Sequence, residues 1–399
     1  MPRLGFPVEA YFDEVYHAKS AYEYLQGQPP TDWVHPPTAK LLIAIPIWLF
    51  GYESWAWRLA PALAGIALAP VFYALARRAT GSERAAVIAS ALLLADGVYL
   101  VQSRIAMTNI FGVLFQITAV LFVLRAAREE RLRTWDMLVA GLALGLALSS
   151  RWTSLCTAAL VGFVLLGLRR ERLLRPREIV LVGTTGLIVP LAVYVLSYLP
   201  WMAQRADVST AAGLTAGLAS LWPEQYQMWR YHTDLRASHP YFSHWATWPW
   251  LIRPTWYYFE QSQTKVYGIF AAGNPFVWWA SIPATIWAFT ATFKRREPQH
   301  LLAAFGFCAM YLPWAISPRT LNYGHYLFEA IPYACLAIAL WLDEHWDTRL
   351  GRACRAYVTI VAATFLFFFP LYTALPVPRT WYSPGIAGVR LWTWLPGWS

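Results

Sequence analysis

The stretch IVLVGTTGLIVPLAVYVLSYL (179–199) contains no charged residue. Its length is close to the roughly 20 apolar residues that carry a helix across a bilayer. Similar runs recur at AVIASALLLADGVYLV (86–101) and VTIVAATFLFFFPLYTAL (358–375), so no single anchor holds a soluble domain. Over 399 residues, 58% are hydrophobic and 14% charged, too little polar surface to cover a water-soluble globule of that size. The chain therefore reads as an all-α polytopic membrane protein.

Apolar runs read against flanking Arg and Lys predict about ten spans, near 55–76, 85–101, 106–125, 136–150, 153–168, 179–200, 274–292, 301–317, 325–342 and 357–375. The basic residues alternate. Arg77, Arg78 and Arg84 follow the first span, Arg125, Arg128, Arg131 and Arg133 the third, and Arg169, Arg170, Arg172, Arg175 and Arg177 the fifth. Lys294, Arg295 and Arg296, then Arg349, Arg352 and Arg355, complete the set. All five clusters fall on one side, which the positive-inside rule makes cytoplasmic. The net charge of +10 is explained by this bias, and nucleic-acid binding is not expected.

One membrane domain accounts for the whole chain, in five parts. These are an outer segment 1–54, a bundle 55–200, an outer loop 201–273, helices 274–375 and an outer tail 376–399. The loop is crowded with Trp222, Trp229, Trp245, Trp248, Trp250, Trp256, Tyr257 and Tyr258, rings that favour the membrane–water interface. HPPTAKLLIAIPIWLFG (35–51) is apolar but short and holds Pro46, so it is expected to lie in the interface or re-enter. Cys156, Cys308, Cys335 and Cys354 show neither CxxC spacing nor a disulfide pattern. MPRLGFPVEAYFDEVYH lacks the apolar core of a signal peptide.

Acidic residues are few on the outer side, and adjacent Asp13 and Glu14 stand out there. A partly desolvated carboxylate is a fit general base because its pKa can rise, although a solvated loop pair without a role is the plain alternative. His35-Pro36-Pro37 followed by Lys40 sets a rigid turn beside a cation, or merely shapes a connection. Arg58 and Arg104 lie at outer span ends against the charge bias, where a lipid phosphate is a natural partner and snorkelling the alternative. His239 in SHPY, Asn274 before Pro275, and Arg319 and His325 in SPRTLNYGHYLFEAIPY share that side. Asn274-Pro275 reads first as a helix start. Carboxylates, arginines, a lysine and an aromatic loop on one face suit transfer from an anionic lipid-linked donor to an acceptor outside the cytoplasm.

FDEVYHAKSAYEYLQGQ, VHPPTAKLL, WRLAPALAG, LLLADGVYLVQSRIAMTNIF, LALSSRWTSL, SHPYFSHWATWPWLIRP, GNPFVWW and RTLNYGHYLFEAIPY run in order across nearly the whole chain. In combination they resemble the protein O-mannosyltransferase family, GT-C type membrane enzymes that use polyprenyl-phosphate sugars. The resemblance implies inverting transfer of mannose from a dolichyl- or polyprenyl-phosphate carrier to Ser or Thr of an exported polypeptide, in the bacterial cytoplasmic membrane with the site outside. It implies Asp13 as the residue taking the acceptor proton and Glu14 as its neighbour shaping the acceptor site. Arg58 and Arg104 are expected at the carrier phosphate, with His35, Lys40, His239, Asn274, Arg319 and His325 as further substrate-binding candidates. No metal or other cofactor is expected, since fixed cations can serve the phosphate.

About 70 residues separate the spans around the long loop, leaving no room for the β-trefoil of eukaryotic members and pointing to the bacterial form. Family members begin with a spanning helix that delivers the Asp-Glu pair outside, whereas twelve residues precede Asp13, so a helix upstream is expected. Asn109 stands where the family commonly has Asp. The rival within the class is a polyprenyl-phosphate-sugar transferase acting on lipid A or a cell-wall glycan. A transporter or flippase would place charges nearer the midplane and often shows paired repeats.

Overall fold

A computed structural model describes residues 3–169, 174–295, 298–382 and 391–398; Arg170, Arg172 and Arg296 of the basic clusters, and residues 383–390 and 399 of the tail, lie outside the described residues. Among the described residues, six helices are long and apolar enough to cross a membrane: Ser54–Thr80 (α3), Asn109–Arg128, Trp152–Arg169, Pro176–Ser197, Pro275–Lys294 and Gly351–Thr373. The expected count of about ten is not reached by this measure, because four of the runs form shorter or broken helices. The 85–101 run divides into Glu83–Leu94 and Gly97–Gln102, since Asp96 turns its side chain back to accept from the Tyr99 N–H and starts a new helix. Gly97 is required there. A Cβ would stand 2.2 Å from the Ala272 carbonyl oxygen and 2.3 Å from the Tyr372 ring. The 136–150 run is the 15-residue helix Thr134–Leu148, and the 301–317 and 325–342 runs give Pro298–Tyr311 and Ile331–His345 beside short 3-10 turns.

Two helices precede α3: α1 (Glu14–Leu25) and α2 (Thr38–Phe50), the latter 13 residues long and too short to span. The loop 201–273 holds the helix Ala211–Asp234 with Trp222 and Trp229 exposed. It also departs from the all-α expectation. Strands β1 (Thr255–Gln261) and β2 (Lys265–Ala271) form an antiparallel hairpin, and β3 (Val377–Pro378) pairs with the start of β2. The strands are short and rich in Trp, Tyr, Phe, Val and Ile, residues that favour a pleat, and a span-oriented reading of hydropathy passes over runs of this length. Between Trp256 and Tyr258 the register slips by one residue, leaving Tyr257 as a bulge that re-aims its side chain inward.

The helix directions separate two faces. α3 begins beside Glu14 and ends at Arg77 and Arg78, Asn109–Arg128 ends at Arg125 and Arg128, and Trp152–Arg169 ends at Arg169. From Arg58 to Arg77 the rise along α3 is roughly 28 Å, close to a bilayer core. Arg84 on the same end pairs with Asp343 and Asp347.

Candidate active site at the Asp13 end of the helices

Asp13 immediately precedes α1, with a backbone close to helical and no cap hydrogen bond from its side chain. Phe12 before it has φ 50°, a left-handed conformation that costs a bulky residue on the order of 1–2 kcal/mol. Stacking of Phe12 on the bulged Tyr257, with ring centroids 4.1 Å apart, offsets part of this cost. The Tyr257 hydroxyl is in turn fixed as acceptor from Gln102 Nε2 at 2.7 Å. Asp13 is thereby presented with its carboxylate unspent.

The charged groups acting on Asp13 are His17, Asp32, Arg319 and Arg151. Burial, reinforced by Asp32, raises the Asp13 carboxyl above its ordinary value despite the opposing His17, Arg319 and Arg151. His17 lies one turn along α1 and donates from Nδ1 to Asp32 Oδ2 at 3.0 Å. His35 Nδ1 donates to the other Asp32 oxygen at 3.0 Å, and Lys40 Nζ lies 3.1 Å from Oδ2. Burial alone would raise Asp32, but Lys40, His35 and His17 outweigh it and hold the carboxyl well below the usual range. Burial pushes the His35 imidazole down to about 4, against the pull of Asp32. His35 therefore stays neutral near pH 7 and donates one proton.

His17, Asp32 and His35 bring three possible metal-ligand atoms within 4.8 Å of one another. Both Nδ1 atoms, however, are engaged as donors to the carboxylate, and the Lys40 ammonium already neutralises it. The arrangement is that of a hydrogen-bonded ion cluster rather than of open ligands. Lys40 also donates to the Asp32 and His35 carbonyls, so all three of its N–H groups are used internally.

Two guanidiniums flank this cluster. Arg319 donates from Nε to the Leu321 carbonyl at 2.9 Å and from Nη1 to His232 Nδ1 at 3.0 Å. His232 Nε2 donates to the Val34 carbonyl at 2.8 Å, which fixes the tautomer. Burial depresses the His232 pKa, with Arg319 and Arg151 adding to the effect and the Val34 bond opposing it. Arg151, at the turn before the 152–169 helix, pairs with Glu329 at 2.7 Å and donates to Asn109 Oδ1 at 2.7 Å. The Nη2 groups of both arginines have no partner among the described residues. Beyond them lies an aromatic box. His325 is buried, stacks on Tyr323 at 5.4 Å and meets Phe12, Tyr257 and Tyr326 edge-on. Neither of its ring nitrogens has a hydrogen-bond partner among the described residues. His239 joins this box through Tyr323, at 5.4 Å, with Nδ1 accepting from the Tyr241 N–H.

The residues expected from sequence thus divide. Asp13, His35, Arg319, His325 and His239 come together, with Lys40 behind them. Glu14, Arg58 and Arg104 form a neighbouring closed block. Arg58 and Glu14 are a fully buried bidentate pair, at 2.8 and 2.7 Å, and Glu14 also accepts from the Ala106 N–H. Arg58 further donates to the Leu4, Pro7 and Glu9 carbonyls, and Arg104 to those of Arg3, Phe6 and Tyr372. Expected at a phosphate, both arginines instead hold the segment 3–9 that leads to Asp13. Asn274 sits apart, bonded to Asp96, Ala95 and Val361, with its Oδ1 accepting from Phe276 N–H as a helix cap does.

Sequence reasoning missed His17, Asp32, Arg151 and His232. Arg151 carried a readable signal, an arginine at an outer helix end within LALSSRWTSL. Asp32 did as well, three residues before His35.

A family model described as dolichyl-phosphate-mannose-protein mannosyltransferase matches residues 34–196, and another so described matches 1–55. A third, the C-terminal four TMM region of protein-O-mannosyltransferase, matches 218–398. The chain is 29% identical to a polyprenol-phosphate-mannose–protein mannosyltransferase of Mycolicibacterium smegmatis, over 99% of this chain and 89% of the relative. The Mycobacterium tuberculosis protein of the same name is also 29% identical, over 99% and 87%. Among solved structures, the S. cerevisiae protein O-mannosyltransferase Pmt1-Pmt2 complex bound to the sugar donor is similar in fold, with TM-score 0.84 at 14% identity over 99% of this chain and 90% of that one. ArnT from Cupriavidus metallidurans bound to undecaprenyl phosphate gives TM-score 0.59 at 19% identity, over 90% and 66%. With three family models tiling nearly its whole length in the order of the quoted motifs, the chain belongs to the protein O-mannosyltransferase family.

Proposed function

We propose that this chain is an inverting mannosyltransferase that moves mannose from a polyprenyl-phosphate carrier to a Ser or Thr hydroxyl of an exported polypeptide. The hydroxyl oxygen bonds to mannose C1, the bond from C1 to the phosphate oxygen breaks with its electron pair leaving on the phosphate, and the hydroxyl proton passes to Asp13. One observation carries the reading. The Asp13 carboxylate makes no side-chain hydrogen bond among the described residues and lies within electrostatic reach of two guanidiniums, Arg319 and Arg151, that each keep a donor free there. The names of the whole-length relatives fit it.

Arg151 and Arg319 are the residues placed to receive the charge that builds on the leaving phosphate. Arg58, Arg104 and Glu14 act one step back, by fixing the backbone that aims Asp13, and the Asp32 cluster sets the charge around it. His325 and His239 face the sugar or acceptor with nitrogens that hydroxyls can bond. Cations built into the chain support a reaction without metal, which transfer unchanged by a chelator would bear out. The basic clusters at the far helix ends support a bacterial plasma-membrane enzyme whose site faces outward.

The test is transfer from polyprenyl-phosphate mannose to a Ser/Thr-rich peptide by the wild-type chain and by Asp13→Asn. Wild-type transfer with a loss of about a thousandfold in the variant is expected, within the range of general-base contributions. Equal rates would remove Asp13 from the chemistry. Transfer to lipid A or a glycan but to no peptide would favour the rival transferase instead.

A further inference from the structure

At the end of α3 remote from Asp13, a cavity of about 480 Å³ opens between α3 and the 109–128 helix. Its walls toward the membrane interior include Tyr73 and Leu121, and its mouth gathers Arg77, Arg78, Arg125 and Arg133 with Glu129 as the acidic lining residue. Glu129 lies 3.6 Å from Arg78 and 3.8 Å from Arg133, long for ion pairs and shared between two cations. Arg77 pairs with Glu83 at 3.2 Å and Arg125 with Asp136 at 3.3 Å. Arg128 alongside spends its donors on the Arg78 and Ala79 carbonyls. Arg77, Arg78, Arg125, Arg128 and Arg133 thus meet Glu83, Glu129 and Asp136, which leaves a surplus of two positive charges (5 − 3) at the ends of two membrane-crossing helices.

A mouth of guanidiniums over an apolar wall matches an amphiphile whose anionic head meets the arginines while its chains run down the helices. We infer that this cavity is a binding site for one anionic glycerophospholipid, its phosphodiester held between Arg78 and Arg133 in competition with Glu129. A soluble phosphate would gain nothing from Tyr73 and Leu121. A zwitterionic lipid would bring its own ammonium against the arginines. The site is independent of the mannosyl-transfer reading, because it lies roughly 28 Å from Arg58 along α3.

The experiment is native mass spectrometry of the detergent-purified full chain, exchanged with equal amounts of phosphatidylglycerol and phosphatidylcholine. One retained phosphatidylglycerol, well in excess of phosphatidylcholine, is expected. Joint Arg78→Ala and Arg133→Ala substitution should weaken retention by roughly thirtyfold, the combined effect of two juxtamembrane cations. Glu129→Gln should strengthen it severalfold, an outcome that misfolding cannot produce. Equal occupancy by the two lipids, no gain with Glu129→Gln, or release of the lipid by millimolar inorganic phosphate would overturn the assignment.

Discussion

Asp13 and Glu14 are neighbours in the chain and opposites in use. Glu14 is enclosed, its oxygens committed to Arg58 and to the Ala106 N–H. Asp13 has no cap bond, and the charged groups around it act without closing on it. The arginines divide in the same way. Arg58 is filled by carbonyls and the Glu14 carboxylate, and Arg104 spends both terminal nitrogens on carbonyls and keeps only a deeply buried Nε without a partner among the described residues, whereas Arg151 and Arg319 keep a terminal Nη2 free among the described residues. A carboxylate or cation at this end of the helices is thus not a site by position alone. What distinguishes the two groups is whether the fold has already consumed their hydrogen-bonding capacity, since a satisfied buried pair stabilises geometry and an unsatisfied one can take up a ligand.

The sharpest way to break the contrast is to exchange the two acids' consequences. Glu14→Gln should cost 3–5 kcal/mol of stability, on the order seen when one partner of a buried pair is removed, while Asp13→Asn should leave thermal unfolding within about 1 kcal/mol of wild type. Equal melting shifts for the two variants would erase the distinction. Next, Arg319→Ala should lower kcat/KM for the lipid-linked donor by about a hundredfold, consistent with loss of one stabilising contact to developing charge. Arg104→Ala should instead act through unfolding.

The pH dependence is a finer probe. Because burial lifts Asp13, kcat/KM should fall with unit slope as pH drops through a value above the ordinary carboxylate pKa of about 4, since the protonated acid cannot accept the hydroxyl proton. An acid limb at 4 or below would detach it from Asp13. The smallest effect concerns Asn109, whose neutral amide accepts from Arg151. Asn109→Asp would give Arg151 a second carboxylate beside Glu329 and should raise the KM for the donor severalfold. A lowered KM would show that Arg151 does not meet the phosphate.

Much of this was legible in the chain. Charge-poor runs such as 179–199 gave the membrane class, and the crowding of Asp13, His35, Arg319 and His325 on one face pointed to residues that the structure brings together as a candidate site. The division between spent and unspent groups was not legible. Arg58 is satisfied by carbonyls of residues 4, 7 and 9, and Arg104 by those of 3, 6 and 372, partners that carry no side-chain signature. The break at Asp96 and the bulge at Tyr257 were equally hidden, because each depends on hydrogen bonds and register rather than on hydropathy.

The grip on the leader segment has an evolutionary consequence. Arg58 and Arg104 hold Arg3, Leu4, Phe6, Pro7 and Glu9 by main-chain oxygens, and every residue type supplies the same oxygen. As far as this grip is concerned, selection can therefore let side chains of this segment drift, so long as the path of the backbone and the two arginines persist. Relatives can then differ most where the side chain is exposed, as at Val8 and Glu9, and less at Arg3 and Phe6, whose side chains meet Ala374, Tyr258 and Tyr267, and still point the acid at the same atom.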